Sequence, residues 1–186
     1  MATEAAAFKF SVEQFERMDE AGIFRPDERV ELIDGEIYDM AAIGVGHAWC
    51  VDRLTGFLGD GLAGRAVLRV QNPAVLGPRT YVQPDLLVLR SPFERYRRAH
   101  PGPADVLLLI EVSDTSLAFD RSVKLSTYAR MGIPEVWLVD LQGGRVEVHR
   151  EPSDEMYASI ARSDRGSAVT PAAFLDIVIE VDQILP

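Results

Sequence analysis

The 186 residues carry 47% hydrophobic and 26% charged side chains, the balance of an ordinary globular chain with enough length for one substantial core. A net charge of −10 and a pI near 4.8 exclude a general-purpose nucleic-acid coat. They leave a nuclease open, because a site that holds metal ions brings its own acidic cluster. Mean hydropathy of +0.02 and the lack of an apolar run near about twenty residues exclude a membrane-spanning helix.

Cys50 stands alone, so neither an intramolecular disulfide nor a cysteine-rich zinc site can form. A reduced, cytoplasmic setting follows as the simplest expectation. The opening MATEAAAFKF places acid before base and lacks a long apolar region, unlike a secretory signal.

Residues 11–20 read as a first helix. Ser11 and Gln14 form a capping box, Val12, Phe15 and Met18 recur at helical spacing, and Gly22 stops it. In RVELIDGEIYDM, Asp34-Gly35 between two short alternating runs predicts a hairpin, flanked by Glu31 and Glu36. Residues 46–61 form a second amphipathic helix through Val51, Leu54, Leu58 and Leu62, with His47 in its first turn. Short strands are expected at 66–70, 80–82 and 86–89, broken by Asn72-Pro73 and Gly77-Pro78. Pro84 removes a ladder donor, so Asp85 projects from a strand bend.

The polar loop SPFERYRRAHPGP concentrates Arg95, Arg97, Arg98 and His100 with Phe93 and Tyr96. Arginines interleaved with aromatics can hold a phosphate backbone, although a solvated loop has the same composition. Residues 105–116, DVLLLIEVSDTS, follow. The unbroken run from Val106 to Ile110 suits a strand buried on both faces, with Glu111 and Ser113 sharing one side of its end. A helix from Asp120, as its cap, to Arg130 puts Lys124 and Tyr128 on one face, and Gly132 with Pro134 ends it. EVWLVD, RVEVHR and residues 157–161 and 177–181 supply further strands, with a short turn or helix near 171–174. One mixed α/β domain is expected: an N-terminal helical arm (1–28), a core (29–140) and a C-terminal β extension (141–186).

Singly, none of these charges demands chemistry: hairpin glutamates face solvent, and turn aspartates and first-turn histidines cap. Together, Asp85, Glu111 and Lys124 form an ordered acid, acid, lysine series on elements that can converge. Two carboxylates about 4 Å apart repel by roughly 4 kcal/mol at an effective dielectric of about 20. Such a pair needs a proton, a salt bridge or a divalent cation. Oxygen ligands suit Mg²⁺ or Mn²⁺, a bound metal activates water and neutralises phosphoryl charge, and an ammonium can orient that water. Glu36 offers a third acid.

The series resembles the PD-(D/E)XK nuclease superfamily, and more closely its Uma-two family of restriction-endonuclease-like proteins. The matching stretches are ELIDGEIYDM, His47, VQPDLLVL, LLIEVSDTS, the segment from Asp120 to Lys124, and YARMGIPEVWLVD, covering residues 31–140. The resemblance implies a restriction-endonuclease-like core, with a mixed central sheet flanked by helices and extra hairpins. It implies a Mg²⁺- or Mn²⁺-dependent endonuclease acting on nucleic acid, DNA first. Asp85 and Glu111 become metal ligands with the Val112 carbonyl, Glu36 the acid from the preceding element, and His47, Ser113 and Tyr128 accessory residues. At the position where the superfamily carries an acid-X-Lys lysine, this chain has Ser113, and Lys124 from the following helix stands in. The rival readings are a catalytically inactive nuclease-fold binding or regulatory module, and a purely structural Glu111–Lys124 ion pair. Nucleases that cut both strands often pair, and the apolar segment 174–185 could cover a neighbour, which makes a homodimer an open option.

Overall fold

The computed structural model describes residues 6–186. The first five residues of the expected N-terminal arm, on which the reading against a secretory signal partly rests, lie outside the described residues. Among the described residues no helix is long and apolar enough to cross a membrane.

The chain opens with α1 (Val12–Glu20), held at its start by the reciprocal Ser11–Gln14 capping box, a feature worth about 1 kcal/mol. β1 (Val30–Ile33) and β2 (Glu36–Asp39) form the expected hairpin. Its turn has Asp34 at φ 51° and Gly35 at φ 81°. A Cβ on Gly35 would also lie 2.8 Å from Lys9 Cβ, so glycine is required there by conformation and by space. α2 (Val45–Leu62) buries Cys50, Val51, Leu54, Leu58 and Leu62, the stripe that its spacing predicts.

β3 (Ala66–Val70), β5 (Thr80–Val82) and β6 (Leu86–Arg90) match the expected strands. Between them lies β4 (Ala74–Gly77), which the two flanking X-Pro breaks conceal in the sequence. β7 (Val106–Ser113) is the buried strand read from DVLLLIEVSDTS. The next helix begins earlier than expected, as α3 (Leu117–Phe119), a π turn over Asp120–Lys124, and α4 (Leu125–Arg130), joined end to end in helical backbone. Asp120 is therefore inside the helix rather than its cap. β8 (Glu135–Asp140), β9 (Arg145–Ser153) and β10 (Met156–Asp164) follow. At the end, β11 (Ala168–Val169) pairs with β12 (Ile179–Glu180). The strand expected over 177–181 is shorter than predicted, because Val181 opens α5 (Val181–Ile184).

A six-stranded sheet in the order β10-β9-β8-β7-β6-β3 forms the centre. Only β7 and β8 run parallel. A parallel pair needs a crossover, and residues 117–130 supply it. One face of the sheet packs on α2, α5 and the C-terminal strands. The other packs on α4 and on a second sheet, β2-β1-β5-β4, whose far face is covered by α1 through Val12 and Phe15 against Leu32. β7 is thus covered on both sides, the burial that an unalternating apolar run demands. The expected mixed sheet flanked by helices, with extra hairpins, is the observed architecture.

Burial also decides the chemistry of Cys50. It has no exposed surface, and burial, with the nearby Asp85 charge, pushes its thiol up to about 12. The native protein should resist iodoacetamide at pH 8 and take up one equivalent once unfolded, measured by intact mass after a timed pulse. Rapid labelling of the folded chain would contradict the packing of α2 on the sheet.

Candidate active site

The site lies where the two sheets and the crossover helix meet. β6 and β7 pair as far as Leu86 opposite Ile110. Beyond that point the ladder has a side-chain partner: Asp85 Oδ2 accepts the Val112 N–H at 2.8 Å. Gln71 Nε2 donates to Asp85 Oδ1 at 3.2 Å, and His47 Nε2 lies 3.0 Å from Oδ2. Burial raises the Asp85 carboxyl, but the bonds from His47, Val112 and Gln71 outweigh it and hold the group below its ordinary range.

Glu111 projects from β7 on the face of α4 and the second sheet. Its Oε1 accepts from Lys124 Nζ at 3.1 Å and from the Tyr128 hydroxyl at 2.5 Å. Lys124 is 2% exposed and also lies 2.9 Å from Glu31 Oε2. The other Glu31 oxygen accepts the Gln83 N–H at 2.7 Å. One ammonium cannot neutralise two carboxylates, so one of them favours its protonated form. Burial, against the pull of Lys124 and reinforced by Glu31 and Asp85, pushes Glu111 up to about 8. Burial works against the lysine's charge, yet Glu111, Glu31 and Asp120 raise it above its ordinary value. Burial and the Glu111 and Glu31 charges likewise keep the Tyr128 hydroxyl protonated.

Asp120, one turn before Lys124, accepts from the Ser113 and Ser116 hydroxyls, each at 2.6 Å. These bonds tie the end of β7 to the helix. Ser113, at the position of the missing strand lysine, is fully buried and serves as this tie.

A narrow cleft of about 120 Å³ opens over the cluster. Its walls include His47, Asp85, Glu111, Val112, Lys124 and Arg29. Gly44, the N-cap of α2, also borders it and provides no side-chain cap. The positive end of an 18-residue helix therefore borders a space otherwise lined by carboxylates, with Asp114 beside Gly44.

Of the residues expected from sequence, the fold brings together Asp85, Glu111, Val112, Lys124, Tyr128, His47 and Ser113. It does not bring Glu36 into the cleft. Glu36 pairs with Ile33 at the turn end of the outer strand β2, and its side chain is 48% exposed and bound to Lys9 at 2.7 Å. Tyr38 donates to it at 2.6 Å. The acid that reaches the cluster is Glu31, 1% exposed. Alternation puts Glu31 on the buried side with Ile33, a signal blurred because Leu32 is buried too, against α1. Gln71, Gln83, Asp120 and Arg29 were also missed, since their roles depend on contacts between distant segments. Arg95, Arg97 and Arg98 lie outside the cleft, in the loop after β6.

Among the described residues no group of three or more His, Cys, Asp or Glu side chains is arranged to hold a metal ion. The cleft is lined by the carboxylates of Asp85, Glu111, Asp114 and Asp120 and by Val112, a hard-oxygen set. Glu111 Oε2 accepts no hydrogen bond among the described residues, Oε1 taking both of that carboxylate's bonds. Mg²⁺ is commonly held by one or two carboxylates with waters completing its shell, and this donor set fits that use.

The chain thus has an α/β core with two sheets and a buried acid–lysine cluster under a cleft. The chain belongs to the Uma2 family, described as "Putative restriction endonuclease", whose model matches residues 12–182. Its fold is similar to that of a putative nuclease belonging to DUF820 from Anabaena variabilis ATCC 29413. The TM-score is 0.72 at 14% identity, over 94% of this chain and 97% of that one. No curated protein matches the chain.

The raised Glu111 carboxyl has a consequence for stability. A carboxyl raised from its ordinary 4.5 to about 8 binds its proton more tightly folded than unfolded. Its contribution is fully present below the unfolded value and is lost as pH rises through the folded one. Urea unfolding of the metal-free protein should show stability falling between pH 5 and 9, and Glu111→Gln should flatten that fall. An unchanged slope in the variant would assign the dependence elsewhere.

Proposed function

We propose that this protein is a metal-dependent endonuclease that hydrolyses phosphodiester bonds in nucleic acid, DNA in the first instance, in a reducing cytoplasmic setting. The observation that carries this reading is the buried Lys124, held between Glu31 and Glu111 at the floor of a cleft that Asp85 also lines. A purely structural ion pair would need neither the cleft nor the third carboxylate.

In this reading Asp85, Glu111 and the Val112 carbonyl hold Mg²⁺ or Mn²⁺. Such an ion, when bound, would supply a water of lowered pKa and neutralise charge on the phosphoryl oxygens. The protein's own groups do the positioning. His47 and the Val112 amide fix one oxygen of Asp85, and Gln71 fixes the other. Tyr128 and Lys124 fix one oxygen of Glu111 and leave the second for the cleft. Lys124 orients the attacking water and stabilises the negative charge that grows on the phosphoryl oxygens. Glu31 positions the ammonium. Arg29 and the start of α2 meet the non-bridging oxygens of the scissile phosphate.

Supercoiled plasmid incubated with Mg²⁺ or Mn²⁺ tests this. Asp85→Ala and Glu111→Gln should abolish metal-dependent nicking. Lys124→Met should reduce the rate by about 10²–10³-fold, the scale of losing one charge-stabilising donor. Glu36→Ala should cut at the wild-type rate. Metal-dependent cutting untouched by Asp85→Ala and Lys124→Met would refute the site. Mn²⁺ binding dependent on Asp85 and Glu111, without cutting of DNA or RNA, would mark an inactive nuclease fold.

A further inference from the structure

The arginine-rich loop lies outside the cleft, yet it is built rather than loose. The Tyr96 hydroxyl donates to Arg90 O at 2.7 Å, and Arg69 Nη2 to Tyr96 O at 3.3 Å. Val75 N–H donates to Pro101 O at 3.0 Å. Arg95 lies 2.9 Å from Asp105, so this arginine is committed as a strut. Together these bonds shape one wall of a groove of about 710 Å³, whose cationic lining is Arg69, Arg97 and Arg98, with His100 beside them and Glu16 as its acid. Arg69 lies with its guanidinium 5.3 Å from the centre of the Tyr96 ring.

Two facts give the groove a ligand class. Most arginines of this chain are paired with carboxylates, as Arg65, Arg121, Arg130, Arg150 and Arg162 are. Among the described residues Arg69, Arg97 and Arg98 are in no such pair. In a chain of net charge −10, three guanidiniums without a carboxylate partner lining one concavity concentrate positive potential against the sign of the whole, which suits a polyanion. The groove is also registered to the cleft. Arg69 on β3 pairs with Leu87 on β6, two residues from Asp85, a displacement of about 7 Å along a strand. Gln71, two residues beyond Arg69, donates to Asp85 itself.

We propose that this groove is a second anchoring site for the phosphodiester backbone of the nucleic acid cut in the cleft, an inference that rests on the nuclease reading. Arg69, Arg97 and Arg98 contact phosphates flanking the scissile one and carry the electrostatic part of affinity, which the acidic remainder of the surface opposes. Sequence reading pointed to Arg95, Arg97 and Arg98. The geometry replaces Arg95 with Arg69.

The test is binding of a fluorescein-labelled DNA oligonucleotide by anisotropy in EDTA across a salt series, beside plasmid cleavage in Mg²⁺ or Mn²⁺. Arg97→Ala with Arg98→Ala should weaken binding about tenfold and reduce the salt slope by about one for each arginine lost. In cleavage the double variant should raise KM and leave kcat in place. Arg17→Ala with Arg25→Ala, which removes equal charge elsewhere, should leave affinity and slope at wild-type values. Equal losses in both double variants, or an unchanged slope in the first, would overturn the groove. So would polyglutamate competing as well as DNA. Cutting by the wild type with the groove variant binding normally would sink this inference alone. Salt-dependent binding through the groove without any cutting would sink the nuclease reading alone.

Discussion

The structure turns on one buried ammonium. Lys124 Nζ sits between Glu31 on β1 and Glu111 on β7, and so joins the crossover helix, the second sheet and the central sheet at one point. A lysine with 2% exposure is tolerable only if carboxylates replace its lost water. Each partner comes from a different element, so all three must keep their register for any of them to be paired. Removing one member leaves a charge stranded, which costs about 3–5 kcal/mol in comparable buried pairs. The π turn over Asp120–Lys124 belongs to the same constraint. An extra residue in the turn rotates the helix locally, and single π turns of this kind recur at functional sites.

A second constraint works at the edge of the β6–β7 ladder. Pro84 cannot donate, and pairing stops at Leu86. The Asp85 carboxylate then takes the Val112 N–H that a further strand residue would have taken. A sheet ending of this kind leaves a carboxylate both anchored and open to the cleft. The same bond tethers it to the strand that carries Glu111, so the two acids move as a unit. Catalysis by positioned charge depends on such fixity, because groups already in place need no reorganisation during the reaction.

The surface follows a different logic from the floor of the cleft. Most arginines are spent on neighbouring carboxylates, including Arg121 and Arg162 on the buried Glu147 and Arg150 on Glu135. These pairs fasten the C-terminal strands to the core, with Glu135 also accepting from Trp137 and from the Ala172 amide. Of the arginines in no such pair, Arg29 borders the cleft and Arg69, Arg97 and Arg98 the groove.

Much of this was legible in the sequence because it is written in short-range patterns. The Ser11 capping box, the Asp34-Gly35 turn, the stripe of α2 and the unalternating apolar run of β7 each follow from residues within a turn or a strand of one another. The series Asp85, Glu111 and Lys124, with Ser113 in place of a strand lysine, was also visible, and so was the family it resembles. What sequence could not decide was which hairpin glutamate meets the lysine. Glu31 and Glu36 are both plausible by composition, and the choice depends on how far the second sheet slides over the first. Only packing sets that distance, and it buries Glu31 against Lys124 while leaving Glu36 to solvent and Lys9. Asp120 shows the same limit: a helix cap by local rules, it became the tie to Ser113 once the helix started earlier. Local chemistry named the residue types, and the burial of charge, which requires partners from distant segments, selected among them.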